Sequence, residues 1–256
     1  MIDCHAHILP CFDDGAKDME TSLKMLSESR TQGVDKVIST SHCYPKSADS
    51  ILHFVSRREN SFRQLMSETE KDKEKYPQIY LGCELNMLTD ISEYRETRLC
   101  CINKTDYILI EMPFVAWKEW MIEAVYKLTV RGYKPIMAHI DRYMNQQREM
   151  LEALYELDVL YQLNTEAFLS PVVSKQVRKL LENGRAHVLG SDMHNMDSRA
   201  PNMKAAVKEI IRNYGSECAG YFEQNAVKII NGEEISDSDQ RTFRRKGILE
   251  KLFETK

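Results

Sequence analysis

The chain lacks most of the features that would set it apart from an ordinary globular protein. Only 10 of its 256 residues are glycine and 7 are proline, which excludes a collagen-like or low-complexity fibre. No apolar run approaches the ~18 residues of a membrane-spanning helix, so no membrane span is expected. The opening MIDCHAHILP lacks the charged and then apolar stretch of a secretory leader, so the cytoplasm is the expected compartment. Basic excess is missing too. Lys and Arg number 35 against 39 Asp and Glu, a net charge of −4, so no global field collects a phosphodiester backbone and nucleic acid is not an expected partner. The seven cysteines form an odd set without a C-x-x-C, which suits reduced thiols better than a disulfide framework. No Pro/Gly/Ser-rich linker or repeat divides the sequence. A single domain over 1–256 is expected, with 232–256 as a peripheral C-terminal helix or tail.

What is present is an alternation of short apolar runs with longer stretches of helical spacing, the pattern of repeated βα units. Seven strands are expected: Ile2 to His7, Val34 to Thr40, Ile79 to Gly82, Tyr107 to Ile110, Pro135 to Ala138, Leu160 to Leu163 and Val188 to Gly190. Met19, Leu23 and Leu26 form a helical stripe started by Asp18 and stopped by Gly33. Further stripes run from Trp117 to Leu128, from Met150 to Leu157 and from Met203 to Ile211, and the polar stretch from Ser50 to Tyr76 is helical in composition. Their apolar faces are expected to pack a core rather than bind a cofactor.

In parallel α/β barrels the reactive groups gather where strands open into their C-terminal loops. Six of the seven expected strands end that way here: His5 and His7, His42, Glu84, Glu111, His139, and Asp192 with His194, while the sixth offers Asn164. His5 and His7, two apart on a strand, point to one side, with Cys4 and Ala6 to the other. Asp192 and His194 repeat that spacing on the last strand, which a closed barrel makes the neighbour of the first. With Asp14 from the Asp13-Asp14-Gly15 turn there are nine imidazole and carboxylate groups, enough for two or three divalent ions. Nitrogen and oxygen donors without a thiolate set suit Mn²⁺, Zn²⁺ or Fe²⁺. Read alone, Asp13 and Asp14 suit a plain turn with helix-start charges, and Arg142 and Arg199 suit surface or ion-pair charges.

These segments resemble a known family. MIDCHAHILP with DDGA, STSHC, LGCELN, YILIEMP, PIMAHIDRY, YQLN, LGSDMHN with Arg199, and the closing NAVKIINGEE together are similar to the PHP (polymerase and histidinol phosphatase) superfamily. Within it they resemble the CpsB/YwqE-type bacterial metal-dependent tyrosine-protein phosphatases of capsule and exopolysaccharide loci. The resemblance implies an α/β fold, a distorted TIM-like (β/α)7 barrel, with a trinuclear site in which manganese is the usual metal. His5, His7, Glu84 and Asp192 would hold one ion, Glu84, Glu111 and His139 a second, and Asp14, His42 and His194 a third. Arg142 and Arg199 would grip phosphate. The expected partner is a phosphotyrosine protein, such as the C-terminal tail of a bacterial tyrosine kinase. Three stretches depart from the pattern: Thr40-Ser41-His42-Cys43 for T-P-H-H, His139-Ile140-Asp141-Arg142 for H-P-E-R, and Cys11 for a glycine before the DDG turn. Cys43, Ile140 and Asp141 are expected to alter the rim of the site.

Three divalent ions against the four carboxylates leave about two positive charges to face a phosphate dianion, and a bridging hydroxide would still leave one. Attack by that hydroxide needs no cysteine, and His42, His194 or a metal-bound water could protonate the leaving group. Three readings compete. A PHP phosphatase of small phosphates, such as a histidinol-phosphatase, uses the same residues. An amidohydrolase also begins with H-x-H, but carries a modified lysine where this chain has Glu111 and Met112. A catalytically idle regulator that binds a phosphorylated tail would not require every ligand.

Overall fold

A computed structural model, describing residues 1–170, 174–236 and 239–247, fills all seven expected strand positions. The strands are β1 (Ile2–Ala6), β2 (Lys36–Ser39), β3 (His42–Cys43), β4 (Gln78–Leu81), β5 (Glu84–Asn86), β6 (Tyr107–Glu111), β7 (Lys134–Met137), β8 (Leu160–Asn164) and β9 (Val188–Gly190). Two positions are split, because β2 resumes as β3 and β4 as β5 after a two-residue break. All pairing is parallel, in the orders β1-β2-β4 and β3-β5-β6-β7-β8-β9. The last strand returns to the first. Asp192 N–H donates to His5 O at 2.7 Å and His7 N–H to Met193 O at 2.9 Å, with a parallel bridge between Ala6 and Met193. The (β/α)7 expectation is met, and the breaks account for its distortion.

Around the strands run α1 (Met19–Thr31), α2 (Ala48–Thr69), α3 (Glu119–Val130), α4 (Arg148–Tyr155), α5 (Glu166–Leu169), α6 (Ser174–Glu182), α7 (Met203–Tyr214) and α8 (Ser216–Asn231). Asp18 caps α1 by accepting from Thr21 N–H at 2.7 Å, and Ser47 with Ser50 forms a reciprocal cap on α2. Trp117 and Leu157 lie outside the helices expected to hold them. The buried indole of Trp117 instead donates to Pro113 O at 3.2 Å and lies 5.2 Å from the Tyr143 ring.

The sequence reading above does not pick out α8, although Cys218, Tyr221, Phe222, Asn225, Ala226, Ile229 and Ile230 give it a continuous buried face. Ala226, Ile229 and Ile230 meet Ile2, Cys4, Ile38, Leu109, Ile136, Leu160 and Val188 in one apolar cluster. Residues from six strands can meet only inside the ring, so this cluster fills the barrel and α8 closes its N-terminal end. The C-terminal end is left for polar groups. A register shift between Asp3 and Ala6 in the β1–β2 pairing corrects one expectation. Cys4 packs in the inner cluster while Ala6 belongs to the outer one, so the two do not share a side. Beyond Gly232, residues 233–236 and 239–247 hold no α-helix, and Phe243 packs 5.4 Å from the Tyr221 ring. The rest of the expected terminal helix lies outside the described residues.

All seven cysteines are free, as the odd count suggested. Cys11 has φ +54°, the left-handed region in which an L side chain is strained. This explains why glycine suits the place before the DDG turn. Cys11→Gly is expected to stabilise the protein by about 1 kcal/mol, read as a higher urea midpoint; an unchanged or lower midpoint would show the strain to be relieved elsewhere.

Candidate metal centre

Every imidazole and carboxylate singled out in the sequence arrives at one pocket. His5 and His7 leave β1, and both Nε2 atoms approach Glu84 Oε2, at 3.2 and 3.3 Å, and Asp192 Oδ1, at 3.5 and 3.6 Å. His139 Nε2 lies 2.7 Å from Glu84 Oε1 and 3.8 Å from Glu111 Oε1. His42 presents Nδ1 to Glu84 Oε2 at 3.0 Å and to Glu111 Oε2 at 3.8 Å. On the outer side, His42 Nε2 and His194 Nε2 both stand 3.4 Å from Asp14 Oδ1. Three compact donor groups result: His5, His7 and Glu84; His42, Glu84 and Glu111; and His7, Asp14, His42 and His194. They overlap the implied three-way division but differ from it: Asp192 and His139 fall in none of the three, His42 stands with Glu84 and Glu111 where His139 was expected, and His7 joins the outer group.

The buried residues fit divalent cations on the evidence of their own atoms. His5 Nε2 and His7 Nε2 face each other at 3.1 Å, a contact of two lone pairs unless positive charge sits between them. Three rings are fixed through the other nitrogen: His7 Nδ1 on Asp13 Oδ2 at 2.9 Å, His194 Nδ1 on the Asp192 carbonyl at 2.9 Å, and His5 Nδ1 on Gln162 Oε1 at 3.0 Å. Each is thereby held with Nε2 turned to the shared space. His42 Nδ1, His194 Nε2 and Glu84 Oε2 are buried without a hydrogen-bond partner. Burial pushes the His7 pKa down, but the Asp13 and Glu84 carboxylates beside its two ring nitrogens override it and hold it at about 10. Burial likewise opposes the charge on Asp192, yet His5, Arg142, His7 and Arg199 keep its carboxyl well below the usual range.

Two ligand-type residues have left-handed backbone, His139 at φ +32° and Asp192 at φ +54°. Strain of this kind persists where surrounding structure enforces it. At Asp192 the enforcing contacts are its N–H bond to His5 O, the Asn164 side-chain bond to Oδ2 at 3.1 Å, and ion pairs from Arg142 at 2.7 Å and Arg199 at 2.5 Å. Both arginines are a third exposed.

Among the supporting residues, Asp13, Gln162 and Asn86 escaped the sequence reading. Asp13, expected as a plain turn, accepts from His7 Nδ1, from His42 N–H at 2.9 Å and from Gly15 N–H at 3.0 Å. Gln162 Oε1 also accepts from His139 N–H at 2.7 Å, and Asn86 donates to Glu111 Oε2 at 2.7 Å. Asp3 locks the seam, accepting from Ser191 N–H at 2.8 Å and Ser191 Oγ at 2.5 Å. The carboxylate following H-x-H at a short distance was the signal available for Asp13. The amides carry none. His187, outside the cluster, accepts from Tyr161 N–H at 3.0 Å, and burial pushes its pKa down to about 4.

The rim differs from expectation. Ile140 and Asp141 are buried, and Asp141 Oδ1 accepts from Asn164 N–H at 3.0 Å, so neither reaches the mouth. Cys43 is buried as well. The mouth of the roughly 440 Å³ cavity is instead formed by the exposed Tyr44, Leu88, Phe114 and Val115, above Arg142 and Arg199. Phe114 lies over His139 with 5.9 Å between ring centroids, and Tyr44 lies 5.3 Å from the His42 ring.

A parallel barrel whose strand ends bring five imidazoles and four carboxylates into one pocket defines a PHP-fold protein with a candidate multinuclear metal centre. Comparison narrows the class. Residues 1–231 match the family described as "Capsular polysaccharide synthesis, CpsB/CapC", and the chain belongs to that family. It is 32% identical over 248 residues to the tyrosine-protein phosphatase CpsB of Streptococcus agalactiae, covering 92% of this chain and 100% of that protein. It is 27% identical over 259 residues to the tyrosine-protein phosphatase YwqE of Bacillus subtilis, covering 97% and 98%. Its structure is similar, at a TM-score of 0.81 and 25% identity over 96% of this chain and 100% of the other, to a crystal structure described under YwqE from Bacillus subtilis and CpsB from Streptococcus pneumoniae as metal-dependent tyrosine phosphatases.

Proposed function

We propose that this protein is a metal-dependent protein-tyrosine phosphatase, acting on a phosphotyrosine protein in capsule or exopolysaccharide synthesis. The observation that carries the reading is the cavity itself: cation-binding side chains on its floor, two guanidinium groups at its wall and an apolar mouth. Small polar phosphates would gain little from that mouth. A phenyl ring would gain contact with Tyr44 and Phe114 while its phosphate reaches the floor.

His5, His7, Glu84 and Asp192, then Glu84, Glu111 and His139, then Asp14, His42 and His194 would hold two or three divalent ions. Manganese is the proposed metal, with iron or zinc as substitutes the donor set would accept. Bound there, such ions supply positive charge to the phosphoryl oxygens and lower the pKa of coordinated water from ~15.7 towards ~7. Arg142 and Arg199 turn from Asp192 to the phosphate oxygens, which offer them paired acceptors. Asp13 and Gln162 keep the imidazoles aimed throughout. The departing phenol oxygen makes a light demand on a proton donor because a phenol has a pKa of ~10, and His42 and His194, as ion ligands, have no proton of their own to give it, which corrects their expected role as acids. We further propose a single domain over 1–256, a cytoplasmic setting consistent with seven free thiols, and the tail of a bacterial tyrosine kinase as the phosphoprotein.

Turnover of phosphotyrosine peptide, phosphoserine peptide and histidinol phosphate, compared with Mn²⁺ present, tests the reading. Phosphotyrosine is expected to lead; a preference for histidinol phosphate would replace the reading with the small-molecule one. Phe114→Ala is expected to shrink the preference for phosphotyrosine over phosphoserine about tenfold, the worth of a half-buried ring at ~1.5 kcal/mol. Arg199→Ala is expected to raise KM for phosphate esters ~10-fold or more with metal content unchanged. Equal loss of metal would show that Arg199 supports the ligands rather than the substrate.

A further inference from the structure

A second groove, roughly 770 Å³, adjoins the catalytic cavity and is larger than it. The two share Asp14, His42 and Tyr44, so an occupant of one touches the other. Its floor is Phe12, Cys43 and Phe54, and one wall is the face of α2 formed by Asp49, His53 and Arg57, at one-turn spacing. None of these α2 residues takes part in holding ions or phosphate in the reading above.

Charge in the groove is uneven: Asp13 and Asp14 line its inner end beside His42, and Asp49 and Arg57 stand on the α2 wall. Asp49 sits in the first turn of α2, where the helix N-terminus offsets a negative charge. Arg57, two turns further on, is exposed and lies over the Phe12 ring at 4.9 Å, yet has no carboxylate partner among the described residues. A guanidinium fixed on a ring and left unpaired is placed to receive an acidic group, and the rings of Phe12, Phe54 and Tyr44 are placed to receive an apolar side chain.

Resting on the phosphatase reading, we propose that this groove binds the polypeptide flanking the phosphotyrosine, with an acidic side chain of that segment at Arg57 and an apolar one on Phe12 and Phe54. A phosphotyrosine side chain alone fills the catalytic cavity and leaves the groove empty. A protein substrate must pass over the shared wall at Tyr44, and the groove gives its chain somewhere to lie.

The test compares the manganese-loaded wild type with Arg57→Glu on p-nitrophenyl phosphate, on a phosphotyrosine peptide with Glu flanks and on one with Lys flanks. Arg57→Glu is expected to lower kcat/KM for the acidic peptide about tenfold through KM and to improve the Lys-flanked peptide. p-Nitrophenyl phosphate should stay within twofold. Binding of a non-hydrolysable difluorophosphonate peptide with Glu flanks, followed by fluorescence anisotropy, should weaken in parallel. Equal effects on all three substrates, or none on the peptides, would overturn the groove assignment while leaving the phosphatase reading intact. A wild type that turns over none of the three would instead overturn that parent reading, and the groove assignment with it.

Discussion

Asp192→Asn is expected to remove bound metal and to lower kcat/KM for a phosphotyrosine peptide by at least ~1000-fold, about 4 kcal/mol. The carboxylate is the one group that faces His5, His7 and His194 through Oδ1 and both Arg142 and Arg199 through Oδ2. The amide keeps the size and loses the charge. Because Asn tolerates the left-handed backbone that Asp192 adopts at φ +54°, the fold should survive, with an unchanged far-ultraviolet circular dichroism spectrum. Loss of metal with the fold retained separates a site defect from a folding defect. A variant that keeps its ions and stays within tenfold of wild-type activity would show that Asp192 serves only as an anion for the two arginines.

Gly190→Ala is expected to be the most damaging one-methyl change in the barrel. A Cβ at 190 would stand 2.3 Å from His5 Cβ and 3.0 Å from both His5 N and Gln162 Nε2, so β9 and β1 could not keep their spacing. Moving either strand moves His5 or Asp192, and with Gln162 also the support of His139. The expected cost is about 3 kcal/mol of stability, with loss of metal. Gly220→Ala is the matched control. Nothing lies within 4 Å of a Cβ there, it falls inside α8, and a gain of ~0.5–1 kcal/mol with metal content unchanged is expected. Urea melts and elemental analysis of the two variants check both; wild-type stability in Gly190→Ala would mean that the seam yields more than its hydrogen bonds suggest.

Much of the centre was legible because each of its groups but Asp14, which comes from a turn, is a local feature: a strand end that carries His, Asp or Glu. His5 with His7 and Asp192 with His194 could be read from two-residue spacing alone, and barrel closure brought them together. What aims them was not legible. Gln162 reaches His5 across 157 residues of sequence, and Asn164 reaches Asp192 across 28. An amide on a strand carries no sign of such a partner. The register shift in β1 leaves the apolar alternation undisturbed in the sequence, so the separation of Cys4 from Ala6 could not be seen there. Ile140 and Asp141 directly follow His139 and were expected at the rim, but the chain turns into a short 3₁₀ segment at Ile140–Tyr143 that carries them inward. The helix α8 was hidden for a different reason: Cys, Tyr, Phe and Asn alternate with aliphatic residues along its buried side, which blurs the apolar stripe that marks a helix in sequence.

The most direct measurement is anomalous diffraction from crystals of the manganese-loaded protein, paired with elemental analysis of the same material. Two or three ions within reach of His5, His7, Asp14, His42, Glu84, Glu111, His139, Asp192 and His194 are expected. Stoichiometric protein with no transition metal, or anomalous peaks elsewhere on the chain, would contradict a multinuclear centre at the strand ends.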